Sequence, residues 1–270
     1  MEATLPDFKI MSWNLQGLMR AELEKRTDAV KTVILKEEPD AVFFQELITS
    51  SYQQLVNSLK DYDSVLGTDS SRGGYFTGIF YKKKRMMLQN IEIKRFENSV
   101  MERSLLALRL SLGKIKIALL TTHLESMPHF KTQRLEQLTE CFETCTSFPE
   151  NYNVVFGGDL NLEDGEEEGL VQESIKDLWI ESGSSDALKY TWDFTENKND
   201  QLPDSGQPRR RYDRLYFRSS NPVTMYAEKL QVLGKDMVEG TNYHPSDHWA
   251  LMETFKLSNN FNQQVLSPSK

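Results

Sequence analysis

The chain has 270 residues, of which 39% are AVILMFWYC, 14 are glycine and 27% are charged, a profile that excludes a disordered, fibrous or low-complexity protein. Lys and Arg number 32 against 40 Asp and Glu, a net charge of −8, so a nucleic-acid partner must meet a local basic patch or a bound metal rather than a broadly cationic surface. No apolar run approaches the ~18 residues of a membrane span and Met1 to Pro6 has no signal-peptide pattern, so a soluble protein without a membrane partner is expected.

Phe8–Trp13 reads as a strand, and Ala21–Glu38 carries Leu23, Val30, Val33 and Ile34 at helical spacing before Pro39 closes it. Strand Ala41–Phe44 follows at once. Tyr52, Leu55, Val56 and Leu59 form a helical stripe behind Thr49 and Ser50, the N-cap candidates. Four β-rich runs come next, Tyr75–Tyr81, Leu88–Arg95, Leu105–Leu112 and Ile115–Thr121, the last two joined by a Gly113-Lys114 hairpin turn. Lys131–Cys145 is the longest helix candidate. Its Cys141 and Cys145, the only cysteines, read as small core or surface residues; two thiols build neither a disulfide framework nor a four-thiolate zinc site, and a reducing compartment fits. Val154–Phe156 reads as a short buried strand, Ser174–Ile180 as a short helix, and Tyr212–Phe217, Ala227–Val232 and Trp249–Phe255 as closing strands. Glu163–Gly169 and Glu196–Arg211 are expected as loops, and Ser258–Lys270, which lacks periodicity, as a disordered tail. The organisation expected is a lead-in over 1–7, one domain over 8–257 and the tail over 258–270. Strands outnumber helices, which are spread through both halves, so the fold class is α/β, with sheets packed together and helices outside.

Four apolar strands end alike. Phe8–Trp13 runs into Asn14, Ala41–Phe44 into Gln45-Glu46, Ile115–Thr121 into His123, and Val154–Phe156 into Gly157-Gly158-Asp159-Leu160-Asn161. Ser246-Asp247-His248 stands just before the last strand, where chain direction could bring it to the same rim. Glu46 and the absence of nearby thiols point to Mg²⁺, or Mn²⁺, over Zn²⁺. With a hard cation the inventory suits phosphoryl-ester hydrolysis: Asp159 as base for an in-line water, Asn161 beside it holding that water or a phosphate oxygen, Gly157 and Gly158 admitting backbone close to the substrate, and protonated His248 stabilising the transition state. Lys82-Lys83-Lys84-Arg85 reads as a solvated hairpin with a weaker reading as a phosphate contact, and Arg209-Arg210-Arg211, which abuts a candidate site strand, is the better candidate for one. Tyr75, Phe76, Tyr190 and Trp192 could stack on bases or on a tyrosyl ring, although strand aromatics usually serve the core.

The order Ser12-Trp13-Asn14, Phe44-Gln45-Glu46, Gly158-Asp159-Leu160-Asn161 and Ser246-Asp247-His248 resembles the endonuclease/exonuclease/phosphatase superfamily of metal-dependent phosphodiesterases. Gly74-Tyr75-Phe76-Thr77, Thr122-His123-Leu124-Glu125-Ser126, Tyr190-Thr191-Trp192-Asp193 and Tyr212-Asp213-Arg214 narrow the likeness to the tyrosyl-DNA phosphodiesterase 2 family, over about Phe8 to Leu257. The resemblance implies a four-layer α/β sandwich that removes topoisomerase II tyrosyl adducts from single-stranded or frayed DNA 5′ ends, leaving a 5′-phosphate. It also implies the site: Glu46 as metal ligand with Asn14 beside it, Asp247 supporting the metal or water shell, Asp159 orienting the water, Asn161, His123 and Ser126 holding the phosphate, and Asp213 orienting His248. Tyr75, Phe76, Tyr190, Trp192 and Arg211 would contact the substrate. A monomer in the nucleus, or also the cytoplasm, is expected. Ser12 and Phe44 are mild departures from the usual Thr and Leu, and Glu163 stands where the family carries Arg. The ubiquitin-associated module of longer members does not precede Phe8, so a short form or an excised catalytic region is expected. The alternatives left open are another phosphodiesterase of the superfamily, acting on abasic DNA, RNA tails or phosphoinositides, and a catalytically dead scaffold.

Overall fold

Period-two alternation along the long strands decides the architecture, because it gives each strand one face for a facing sheet and one for covering helices. The computed structural model describes residues 6–67, 74–197, 199 and 208–258. One sheet runs in the order Met225–Leu233 (β13), Ala250–Leu257 (β14), Phe8–Asn14 (β1), Ala41–Leu47 (β2), Phe76–Lys82 (β4) and Tyr62–Leu66 (β3). The other runs Met87–Arg95 (β5), Ser104–Leu112 (β6), Ile115–His123 (β7), Tyr152–Asp159 (β8), Asp213–Arg218 (β12) and Lys176–Asp177 (β9). The β1–β2 and β7–β8 pairs are parallel and the other neighbours antiparallel. A separate two-residue ladder joins Trp192–Asp193 (β10) to Arg209–Arg210 (β11).

Between the sheets lie Phe8, Ile10, Phe43 and Ile79 from one side and Leu106, Leu108, Leu119, Val155 and Leu215 from the other. Helices Leu23–Glu37 (α1) and Thr49–Ser58 (α2) cover the first sheet, setting Val30, Ile34, Leu55 and Leu59 against Met11, Trp13, Val42 and Phe44. Helix Lys131–Ser147 (α3) covers the second, with Leu138, Cys141, Phe142 and Cys145 against Ala118, Leu120, Phe156 and Tyr216. The result is the expected four-layer α/β sandwich. No helix among the described residues is long and apolar enough to cross a membrane.

Several local expectations change. The cap of α2 is Ile48, whose N–H is met by Ser51 Oγ (3.1 Å); Thr49 and Ser50 already belong to the first turn. β8 extends well beyond Val154–Phe156 at both ends. Ser174–Ile180 is not one helix: β9 pairs with β12 and a single turn, Leu178–Glu181 (α4), follows, its N-cap Asp177 accepting the Trp179 N–H (2.9 Å). The expected loop over Glu196–Arg211 contains β11 at its end, and residues 198 and 200–207 lie outside the described residues. The expected tail, apart from Ser258, and most of the lead-in over 1–7 lie outside them too. Both cysteines are buried in the α3 layer, where burial pushes their thiol pKa values up.

Candidate active site

The inner face of β1 reads Phe8, Ile10, Ser12, Asn14, so the row that starts as core ends as a polar group at the sheet edge. The same continuation carries β7 through Leu119 and Thr121 to His123, and β8 through Val155 and Gly157 to Asp159. In antiparallel β12 the row runs backwards from Phe217 and Leu215 to Asp213. Strand register then aligns His123 with Asp159 and Asp159 with Asp213, three chemical groups in one row across three strands. Glu46 breaks the alternation. Its backbone has φ 53 at a register shift between β2 and β4, a bulge that brings it beside Asn14.

Asp159 Oδ2 is the point of convergence. Asn14 Nδ2 donates to it at 2.8 Å, His123 Nε2 lies at 3.3 Å and His248 Nε2 at 3.8 Å, while Asp159 Oδ1 accepts the Asn161 N–H at 3.0 Å. Burial pulls the Asp159 carboxyl upward, but His123, His248, Asn14 and the Asn161 amide outweigh it and hold the pKa below the ordinary value. His248 Nδ1 meets Asp213 Oδ2 at 2.7 Å, and the Asp213 backbone N–H donates to Thr191 Oγ1 (3.0 Å). Burial opposes a charge on His248, yet Asp213, Asp247 and Asp159 lift its pKa well above the usual histidine value, so it is imidazolium. His123 is the opposite case: burial and then Arg103 push it down to about 3, so it is neutral.

Asp159, Asp213 and His248 offer ligand atoms within 4.8 Å of one another and could in principle hold a metal. Within this group a hydrogen bond already joins His248 to Asp213, and His248 stands 3.8 Å from Asp159. The oxygen-rich side lies at Glu46, whose carboxyl is pushed up to about 7 by burial and by the charges of Asp247 and Asp159. Asn14, the expected metal ligand beside Glu46, is held by three hydrogen bonds. Its Oδ1 takes the Gln16 N–H (2.9 Å) and its Nδ2 donates to Asp159 and to Glu46 (3.3 Å), so it presents a donor to both carboxylates. The sequence profile of the Endonuclease/Exonuclease/phosphatase family matches residues 11–248, a span that contains this whole array.

The chain belongs to that family. It is 32% identical to rat tyrosyl-DNA phosphodiesterase 2 over 92% of this chain and 66% of the rat protein. Similarity to the 5'-tyrosyl-DNA phosphodiesterase of Caenorhabditis briggsae is also 32%, over 92% of this chain and 69% of the other. The chain thus spans about two thirds of the length of these relatives. Among solved structures, Danio rerio tyrosyl-DNA phosphodiesterase 2 complexed with a single-strand DNA product superposes with a TM-score of 0.89 at 31% identity, covering 93% of this chain and 100% of that one.

Around the family's polar array, two aromatic groups stand as walls. Tyr75 lies 5.7 Å from the His123 ring; Tyr212 lies 6.4 Å from His248 and 5.4 Å from Trp192, whose Nε1 donates to Asp247 (3.3 Å). Ser126 is half-buried near this first wall, its Oγ 3.3 Å from Met101 Sδ. Phe76, expected at the substrate, is core: alternation turns it to the helix side of β4, edge-on to Tyr52. Arg211 is buried against Trp179 and paired to Asp177, so it does not face a substrate. Tyr190 stacks under Arg209 at 4.1 Å and makes no ring contact with the polar array. Arg209 pairs with Asp193 and Arg210 with Glu163, which neutralises the triplet expected to meet phosphate. Lys82–Arg85 follows β4 at the end of the sheet opposite Glu46, and Arg85 is occupied by Asp40, in line with the solvated-hairpin reading. The glycine pair serves strand packing, not substrate approach: a Cβ on Gly158 (φ 141) would stand 2.1 Å from Thr122 O, and one on Gly157 2.3 Å from Arg214 O.

Three contributors escaped the sequence. Thr191 was noticed only for its aromatic neighbours. Gln45, given no role by the sequence, donates from Nε2 to Thr121 Oγ1 (3.1 Å) and Ser12 Oγ (3.4 Å). Arg103 had no motif around it, yet its guanidinium is buried 5.1 Å over the Tyr75 ring, its Nε without a partner.

Proposed function

We propose that this chain is a Mg²⁺-dependent 5′-tyrosyl-DNA phosphodiesterase that hydrolyses the phosphotyrosyl bond left by topoisomerase II on DNA 5′ ends. The observation that carries the reading is the array Asp213–His248–Asp159 beside the carboxylates Glu46 and Asp247; the names borne by its relatives and the DNA product bound by the Danio rerio protein support the substrate class. A carboxylate pushed up by burial and by the like charges of Asp247 and Asp159 fits a hard divalent cation, which Glu46 and Asp247 would hold. When bound, Mg²⁺, or Mn²⁺ in its place, supplies positive charge to phosphoryl oxygens.

The chain's own residues do the rest. Asp159, kept anionic, orients a water for in-line attack on phosphorus and draws on its proton. His248, charged and aimed by Asp213, and the neutral His123 present donors to the developing phosphoryl charge, with Asn161 and Ser126 beside them. The P–O bond to the tyrosine breaks as the water oxygen bonds, leaving a 5′-phosphate. A phenol with a pKa near ~10 departs without a dedicated acid. Tyr75, Trp192 and Tyr212 form the walls against which a frayed, single-stranded end would lie. The site is complete within one chain, which supports action as a monomer, and a DNA substrate with two buried free thiols supports a nuclear setting, or the cytoplasm as well.

The test is turnover on a 5′-phosphotyrosyl oligonucleotide with and without Mg²⁺. A 5′-phosphate product that disappears on chelation is expected. Faster cleavage of abasic duplex DNA or of a phosphoinositide would overturn the substrate assignment.

A further inference from the structure

Arg103 reaches the site from the loop that joins β5 to β6, immediately before the first residue of β6, and that loop is bonded to one buried carboxylate. Glu125 is fully buried two residues beyond His123. Its Oε1 accepts three hydrogen bonds, from Ser99 Oγ at 2.6 Å, Val100 N at 2.7 Å and Met101 N at 3.0 Å. Ser99 Oγ in turn accepts the Arg103 N–H at 2.7 Å, and Arg103 O accepts the Phe96 N–H at 3.2 Å. Residues 96–103 are thus drawn back on themselves, with the guanidinium emerging over Tyr75. Helix α3 fixes the other side: the Glu125 N–H donates to Gln137 Oε1 (3.1 Å), and its carbonyl accepts from Arg134 Nη1 (3.2 Å).

Three donors on one oxygen make Oε1 the acceptor on which the loop converges. The second oxygen, Oε2, is buried without a partner, and no ion pair to Glu125 occurs among the described residues. A buried, half-satisfied carboxylate is a poor device for stability alone. Its output is instead an ordered guanidinium in the site, on a side chain that would otherwise sample many rotamers.

We infer that Glu125 is a positioning residue: its carboxylate sets the Ser99–Arg103 turn so that Arg103 stands over Tyr75, ready for the anionic phosphotyrosyl end. This rests on the phosphodiesterase reading above for its substrate, but not for the placement itself. In Glu125→Gln the amide nitrogen falls either where three donors converge or at the Oε2 position, where it meets no acceptor. Turnover (kcat/KM) on the 5′-phosphotyrosyl oligonucleotide should fall by about 10-fold or more, as for a displaced site group. In an Arg103→Ala background the same substitution should change turnover by less than about twofold, because the residue through which it acts is gone. A merely structural Glu125 would lower turnover by the same factor in both backgrounds, which would overturn the inference.

A readout without substrate separates this idea from the assigned activity. The Arg103 Nε–Hε NMR resonance, shifted by the Tyr75 ring in the parent, should move toward its free-arginine position in Glu125→Gln; an unchanged resonance would overturn the placement. Should that variant not fold, Ser99→Ala removes the single link between Glu125 and the Arg103 N–H. It should shift the same resonance and lower turnover only where Arg103 is present, and failure of both effects would refute the relay.

Discussion

Asp213 shows how much one buried carboxylate does here. Its Oδ2 is spent on His248 Nδ1 at 2.7 Å, and its Oδ1 is buried with no partner, so orienting and charging the imidazole is its whole polar output. Asp213→Asn should lower turnover by ~10-fold or more, because an amide neither stabilises the imidazolium nor fixes its orientation in the same way. Combined with His248→Ala it should add little, and additive losses in that cycle would show that the two residues act independently. Glu253 on β14 is a residue whose charge bears on stability instead. Its Oε1 accepts the N–H groups of Glu228 and Lys229, both at 3.0 Å, beside a bulge in β13, and burial pushes its carboxyl up to about 7 from 4.5. Since the folded value lies above the unfolded one, the stabilisation is complete below about pH 4.5 and is lost as pH rises through 7. Glu253→Gln keeps an acceptor and carries no charge. Its stability relative to the parent should therefore rise from pH 5 to pH 8, by about 3 kcal/mol at most. Urea unfolding of both proteins at the two pH values checks this, and a pH-independent difference would clear Glu253 of the titration.

Among the elements, β8 holds the site row together and shows where sequence patterning runs out. Val154–Phe156 announced itself as a strand, but Gly157-Gly158-Asp159 read as a turn because nothing in an isolated sequence shows that Thr122 O and Arg214 O press on those two positions. Ala at Gly158 would face both that contact and φ 141, each costing on the order of 1–3 kcal/mol. Ala at Gly113, with φ 59 and open space around it, meets only the backbone penalty of about 1 kcal/mol. Thermal melts should therefore rank Gly158→Ala well below Gly113→Ala, and equal midpoints would mean that the β7–β8 contact yields easily. The polar strand ends were legible because apolar strands end at one rim, and four such ends with one polar strand start, in order, are hard to mistake. Less visible were β3, a half-exposed edge strand whose Tyr-Asp-Ser-Val-Leu lacks a clean apolar face, and β9, whose two residues exist only through pairing with β12. Choosing between Tyr75 and Phe76 needed the β4 register, since neighbours on a strand point to opposite faces. Arg103 needed the Glu125 turn, a non-local contact with no pattern of its own.

At the scale of the whole molecule, the net charge of −8 and the pairing of the basic clusters bear on how DNA is held. Arg209, Arg210 and Arg211 are bonded to Asp193, Glu163 and Asp177, Arg214 to Glu167, and Lys189 to Asp164, so the rim nearest the site is close to neutral. Lys82–Arg85 lies at the opposite end. Among the described residues, the buried cations that face the site are Arg103 and the His248 imidazolium, a footprint of about two charges. For single strands the logarithm of affinity falls with the logarithm of salt at roughly 0.7 per phosphate neutralised, so the expected slope is only about −1 to −2. Affinity would then come mainly from the 5′ end itself, from Mg²⁺ and from stacking on Tyr75, Trp192 and Tyr212, and would depend little on sequence or length. The measurement is binding of a 5′-phosphorylated single strand, between about 50 and 200 mM salt, to Asp159→Asn, a variant expected to turn over at least ~10²-fold more slowly. A slope approaching −5, or affinity that climbs steadily with each added nucleotide, would mean that the paired arginines open to the DNA and that the neutral rim of the free protein is not the surface the substrate meets.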